Sequence, residues 1–338
     1  MKKILFPVFL ALTVTALCRA AEPYQFIKAI PGSDGGWDDL TLDSATHRLY
    51  VSHGNQVLVV DLATDTIVGE ITNTPGVHAI AVAGGLNRGF TSNGRQNQVG
   101  IFDLKTLQIL SRVNTQTNPD AILFVPGQNE VYAFNGRSQS ATVIDAKSGT
   151  VIATIPLGGK PEFARADLSA GRVFVNIEDA NVVAAIDTKT HAVVARWPIA
   201  PGESASGLAL DEKNHRLFLG CDNHLLVMMD SPSGKVLATV PIGEGVDGAA
   251  FDPATQLAFA SCGDGTTTIA RVDGEKLTVV QTLPTEKSAR TMTIDPVTHK
   301  IYLPAAEFDA PAAGQRRGKM IPGTFKILVY GPAGHHPS

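Results

Sequence analysis

Seven positions, successively 40, 42, 42, 44, 41 and 43 residues apart, carry side chains able to do acid, base, hydroxyl or ion-pair chemistry: Asp38, His78, Asp120, Glu162, Ser206, Asp247 and Arg290. All seven are polar or charged in a chain that is only 18% Asp, Glu, Lys and Arg. Imidazole titrates near neutrality without special help, so His78 is the candidate general base. Asp38 and Asp120, one interval to either side, are candidates to orient or charge it. Arg290 offers paired donors for a carboxylate or phosphate. A second column, His53, Asn93, Asn135, Ile177, Cys221, Cys262 and Ala305, falls at the same spacing and reads as the facing wall. Together they describe a shallow polar funnel, acidic on one arc. Its candidate ligand-binding set is Asp38, His53, His78, Asp120, Glu162, Ser206, Asp247 and Arg290, and its catalytic candidates are His78, Asp38, Asp120 and Arg290. A wet, solvated rim would leave the same ring of residues, so both readings stay open.

His53, His78, Asp38 and Asp120 are ligand types for a divalent ion, but they share no compact motif spacing and no metal is assigned. The chain has no His-Glu-x-x-His pattern, dinucleotide glycine fingerprint, phosphate loop, nucleophile elbow or Cys-x-x-Cys-His, so no cofactor is named. Cys221 and Cys262 sit at equivalent points of successive intervals. A disulfide, a pair of inert packed thiols, and a metal or reactive role are all open, a bridge requiring α-carbons within ~7 Å.

The elements that must position these residues follow from the same spacing. Asp211 to Val240 reads as three short apolar runs separated by turn residues, each of strand length. The unit recurs around Tyr50, Phe90, Tyr132, Phe174, Phe218, Phe259 and Tyr302. An aspartate seven places earlier recurs at Asp43, Asp167, Asp211, Asp252 and Asp295, and another ends the following run at Asp61, Asp103, Asp145, Asp187 and Asp230. A period near 42 with four short strands per unit predicts an all-β, seven-bladed propeller. The last unit lacks a fourth strand, while residues 24–30 form a strand without a blade. Pairing them beside residues 325–330 closes the ring and covers two edges.

Residues 1–20, with Lys2 and Lys3 before an apolar run and Cys18-Arg19-Ala20 at its end, read as a secretory signal peptide. Residues 21–338 then form one propeller domain, with no membrane span and a periplasmic or secreted location. Its 25 Lys and Arg against 32 Asp and Glu leave a formal charge of −7, which disfavours a nonspecific nucleic-acid surface. Residues 305–324, with Arg316, Arg317 and Lys319, form a long insertion, either a lid or a tolerated excursion. A ring without free edges is expected to be a monomer.

Arg48-Leu49-Tyr50-Val51-Ser52, Val57-Leu58-Val59-Val60-Asp61 and Asn181-Val182-Val183-Ala184-Ala185-Ile186-Asp187 resemble the YVTN-repeat family of secreted seven-bladed propellers, similar to YncE-like proteins, with a WD40/YVTN-repeat-like architecture. The resemblance implies a periplasmic or surface-associated protein and supplies no catalytic residues. Two functions remain open. One is a binding or scaffold propeller recognising a protein, peptide, glycan or small ligand at the funnel face. The other is a hydrolase or lyase acting on a small anionic or lactone-like substrate, with His78 as base and Arg290 as anion clamp.

Overall fold

A computed structural model describes residues 22–311 and 318–334. The signal-peptide assignment, and Arg316 and Arg317 of the insertion, lie outside the described residues. The chain forms seven four-stranded antiparallel sheets arranged as the blades of a propeller. Blade one contains Trp37–Asp43, Arg48–His53, Gln56–Asp61 and Thr66–Ile71, and the next five blades repeat this order. Blade seven takes Thr293–Ile294, Ile301–Ala305 and Lys326–Pro332 from the end of the chain and Tyr24–Pro31 from its beginning. Tyr24 pairs with Pro332 and Pro31 with Lys326, so the N-terminal strand closes the ring.

The period of the sequence has a packing cause. All seven aromatics of the repeat lie on second strands and are buried to within 2% exposure. A four-stranded blade cannot cover both of its faces, so each interface between blades becomes a separate apolar core. One such core packs Tyr50 and Val57 of blade one against Phe102 of blade two. The cluster that joins Tyr302 and Phe325 of blade seven to Leu49 and Val51 of blade one completes the circle. Burial of a side chain of this size stabilises the fold by roughly 1.5–3 kcal/mol. In blade two the packing leaves no room for a side chain at Gly89, where a Cβ would meet the Phe102 ring at 2.0 Å.

The repeated aspartates hold the hairpins. Asp103, Asp145 and Asp187 each accept backbone N–H groups two and three residues ahead, fixing the turn after the third strand. Asp43, Asp252 and Asp295 accept hydroxyl bonds from Thr46, Thr255 and Thr298 in the turn after the first strand. These aspartates lie at the opposite ends of the strands from the candidate site. The stems of the insertion pair Phe308 with Met320, and Phe308 packs near Trp37 of blade one with ring centres 6.0 Å apart. Among the described residues, no helix is long and apolar enough to cross a membrane.

Candidate functional site

The seven polar positions meet at one mouth of the channel because the inner strands of blades one to six each carry a bulge there. The ladder slips between Trp37 and Leu40, Val77 and Ile80, Pro119 and Ile122, Pro161 and Ala164, Ala205 and Leu208, and Val246 and Gly248. A bulge lifts residues out of the ladder and re-aims their side chains. Asp38, His78, Asp120, Glu162, Ser206 and Asp247 are those residues. The backbone groups released by the bulge are satisfied by the neighbouring strand or blade. Ser52 accepts the Asp38 N–H at 2.9 Å, and Ser92 accepts that of Ala79 at 3.0 Å while donating to the Asp120 carbonyl. Asn176 donates to the Ser206 carbonyl at 2.9 Å, and Ser261 donates to that of Arg290 at 2.6 Å. Thr291 in turn donates to the Asp38 carbonyl at 2.6 Å, tying blade seven to blade one.

The side chains form a charge network. His78 Nδ1 lies 2.6 Å from Asp38 Oδ2 and 3.6 Å from Asp120 Oδ1. Arg290 bridges Asp247 at 2.9 Å and Asp38 at 3.3 Å. Lys160 pairs with Glu162 at 2.6 Å and also with Glu178. Ser206 donates its hydroxyl to the Val246 carbonyl at 2.9 Å, a structural bond.

All of these groups except His78 line a cavity of about 460 Å³ in which carboxylates outnumber cations. Asp38, Asp120, Glu162 and Asp247 are joined by Asp39, Glu178 and Asp222 against Lys160 and Arg290. Asp39 also lines a second recess further along the channel, where Arg165 faces it. Crowding of like charges in a partly desolvated space raises carboxyl pKa values. Burial, reinforced by Asp38 and opposed by His78, pushes Asp120 up to about 6. Burial and the Asp120 charge push Glu162 up to about 8 despite Lys160. Burial pushes Asp247 up to about 7 despite Arg290, and Asp39 up to about 7 despite Arg165. For His78 burial is the largest influence and acts downward. The Asp38 hydrogen bond and the charges of Asp120, Asp38 and Glu162 together outweigh it, and the imidazole pKa is raised.

Asp38, His78 and Asp120 present ligand atoms within 4.8 Å of one another, a grouping able to hold a divalent ion that sequence spacing did not disclose. His53 does not join them. It is 3% exposed and packs against the Phe325 ring at 4.5 Å between centres. The whole second column is buried: Asn93, Asn135, Ile177, Cys221, Cys262 and Ala305 are each within 1% exposure. The residues one place later, Glu178, Asp222 and Gly263, are the ones lining the cavity. Successive side chains on a strand alternate sides, so a displacement of one residue exchanges core for surface. Glu178 and Asp222 were missed for this reason, Asp39 because it stands beside Asp38 in the bulge, and Lys160 because it lies just before its strand. Adding one residue to the column, and noticing the Asp38-Asp39 doublet, would have found three of them.

Cys221 and Cys262 are free and buried, in the cores between blades four and five and between blades five and six respectively. They stand unbridged in separate cores, and burial pushes both thiols up to about 12, which disfavours the thiolate a reactive role needs.

No protein-family model and no curated protein matches the sequence. Among solved structures, the chain is similar to U3-55K, with a TM-score of 0.77 at 11% identity over 91% of this chain and 98% of that one. It is likewise similar to the WD40 repeats of RRP9, with a TM-score of 0.77 at 12% identity and the same coverage. It also matches Kuenenia stuttgartiensis hydrazine synthase, with a TM-score of 0.70 at 16% identity over 81% of this chain and 94% of that one. These likenesses show the fold, a seven-bladed propeller. They overturn the assignment to the YVTN-repeat, YncE-like secreted family, and with it the periplasmic or secreted location. The motifs that suggested that family, such as Tyr50-Val51-Ser52, are strand and bulge-support residues that the propeller architecture itself requires.

Proposed function

We propose that the chain is a binding propeller whose acidic funnel recognises a cationic group presented by a protein or peptide partner. The observation that carries this reading is the surplus of carboxylates in the cavity, with both of its cations, Lys160 and Arg290, already paired. Burial first, and then their neighbours' charges, hold these carboxyls above their ordinary pKa, and an entering cation favours their ionised form. The site therefore favours an ammonium or guanidinium electrostatically before any shape match is considered. The likeness to WD40 repeats supports a scaffold role of this kind. An anionic or lactone-like substrate fits less well, because Arg290 is neutralised by Asp38 and Asp247. The hydrolase or lyase alternative keeps one supporting observation, the imidazole of His78 oriented by Asp38. Loss of turnover in His78→Ala with the fold retained would favour it.

A thermal-shift panel at pH 8 tests the binding reading with methylammonium, guanidinium and N-acetylargininamide as organic cations, citrate as an anion, and calcium, manganese and zinc as ions for Asp38, His78 and Asp120. Stabilisation by the organic cations, reduced about tenfold in apparent affinity by Glu162→Gln, is expected from loss of one charged acceptor. Stabilisation by citrate alone would reverse the assignment, and stabilisation by a metal alone would replace the organic cation with an inorganic one.

A further inference from the structure

A second recess, distinct from the one lined by Asp39 and Arg165 and of about 520 Å³, opens beside the acidic funnel over blades one to three. Asp38 lines both spaces, and His78 stands with it on the dividing wall. The Nδ1 edge of the imidazole faces Asp38 and Asp120. Its Nε2 edge lies over Gly94, where a Cβ would come within 2.6 Å of that nitrogen. A side chain at Gly94 would thus close the approach to His78 from this side.

The charged side chains specific to the second recess have the opposite sign from those in the funnel. Arg95 and Arg137, in the hairpins of blades two and three, line it and are exposed. Among the described residues neither makes an ion pair or a side-chain hydrogen bond, whereas Lys160 and Arg290 across the wall are both paired. The stem of Arg95 lies along Gly76, where a Cβ would meet its Cγ at 2.6 Å, and Gly76 itself has a φ of +64°. The rim is tied together by Asn97, which accepts the Asn118 N–H at 2.8 Å. Two unpaired guanidinium groups at one recess, with an imidazole edge in its wall, form a receptor for a planar anion.

We propose that this recess binds a carboxylate, so that the ligand of the propeller face carries a carboxylate next to the cation received by the funnel. Arginine, lysine, or a peptide ending in either has that chemistry, with the basic side chain on the acidic side of the Asp38–His78 wall and the carboxylate on the Arg95 and Arg137 side. The inference rests on the funnel's being a cation site. It adds a second, oppositely charged contact that sets the polarity of the ligand.

Calorimetric titration at pH 8 and low salt separates the two contacts. N-acetylarginine carries both charges and N-acetylargininamide only the cation; the acid and amide forms of acetyl-Gly-Gly-Arg repeat the comparison in a peptide. Each acid is expected to bind about 2- to 5-fold more tightly than its amide, the range for exposed ion pairs. The double variant Arg95→Gln, Arg137→Gln should abolish that difference and leave amide binding unchanged. Equal affinity of acid and amide, or a difference that survives in the double variant, overturns the carboxylate site while leaving the cation funnel intact. If neither form binds, the funnel reading falls and this inference with it. A peptide acid that binds more tightly than N-acetylarginine identifies a chain terminus as the source; equal binding identifies the free amino acid.

Discussion

Glu162→Gln is predicted to stabilise the protein at alkaline pH and to do nothing at acidic pH. Glu162 is 14% exposed, and its pKa is lifted from 4.5 to about 8, first by burial and then by Asp120. A carboxyl whose folded pKa lies above its unfolded value holds more protons folded than unfolded between the two. Its contribution to stability is therefore lost as pH rises from about 4.5 through about 8. At roughly 1.4 kcal/mol per pH unit the full displacement is about 4–5 kcal/mol. Cavity water, and titration linked to that of Asp120, leave about 1–2 kcal/mol of that at Glu162 itself. The variant removes the charge, and Lys160 keeps its second partner, Glu178, so no cation is orphaned. At about 2–3 °C per kcal/mol for a domain of this size, Tm should rise by about 2–6 °C at pH 9 and change by less than about 1 °C at pH 5. Thermal unfolding followed by circular dichroism at the two pH values measures both. A Tm that falls at pH 9, or that shifts equally at both, would refute the claim that the funnel stores like-charge repulsion.

Deleting Tyr24–Pro31 should strip the outer strand from blade seven and remove Tyr24 and Ile30 from two inter-blade cores. A loss of about 3–6 kcal/mol, seen as a Tm lower by at least about 6 °C, is expected, and an unchanged Tm would contradict closure. Ser261→Ala leaves the carbonyl of Arg290 without the hydroxyl that reaches it at 2.6 Å, and should cost about 1–2 kcal/mol in chemical denaturation. The native protein should resist thiol reagents and yield both Cys221 and Cys262 once unfolded without reductant; reaction in the native state would contradict their burial.

The fold was legible because its signals are periodic and each has a local cause. The aromatic column marks the buried second strands, the aspartates mark turns, and the missing fourth strand of the last unit points to residues 24–30. The inner ring was legible as well, since polar residues at every strand mouth stand out against an apolar chain. What failed was the neighbouring column. His53, Asn93 and Asn135 are polar by composition yet buried, and the cavity wall is built one residue later, from Glu178 and Asp222. The column's positions end the second strands with their side chains in the cores between blades, and only the next residue, entering the hairpin, turns to the cavity. Arg290 reads as an anion clamp in sequence, but only the folded ring brings Asp38 and Asp247 against it from blades one and six. The Arg95 and Arg137 recess was invisible because glycine-rich hairpins look alike until the blades are placed side by side.

The most direct test of the cation funnel is a calorimetric titration of N-acetylargininamide into the protein at pH 8, repeated with added salt and with Glu162→Gln. Saturable one-to-one binding, weakened by both changes, is predicted, since screening and loss of a carboxylate each reduce the field in the cavity. No saturable heat, or binding indifferent to salt and to the variant, would contradict the account.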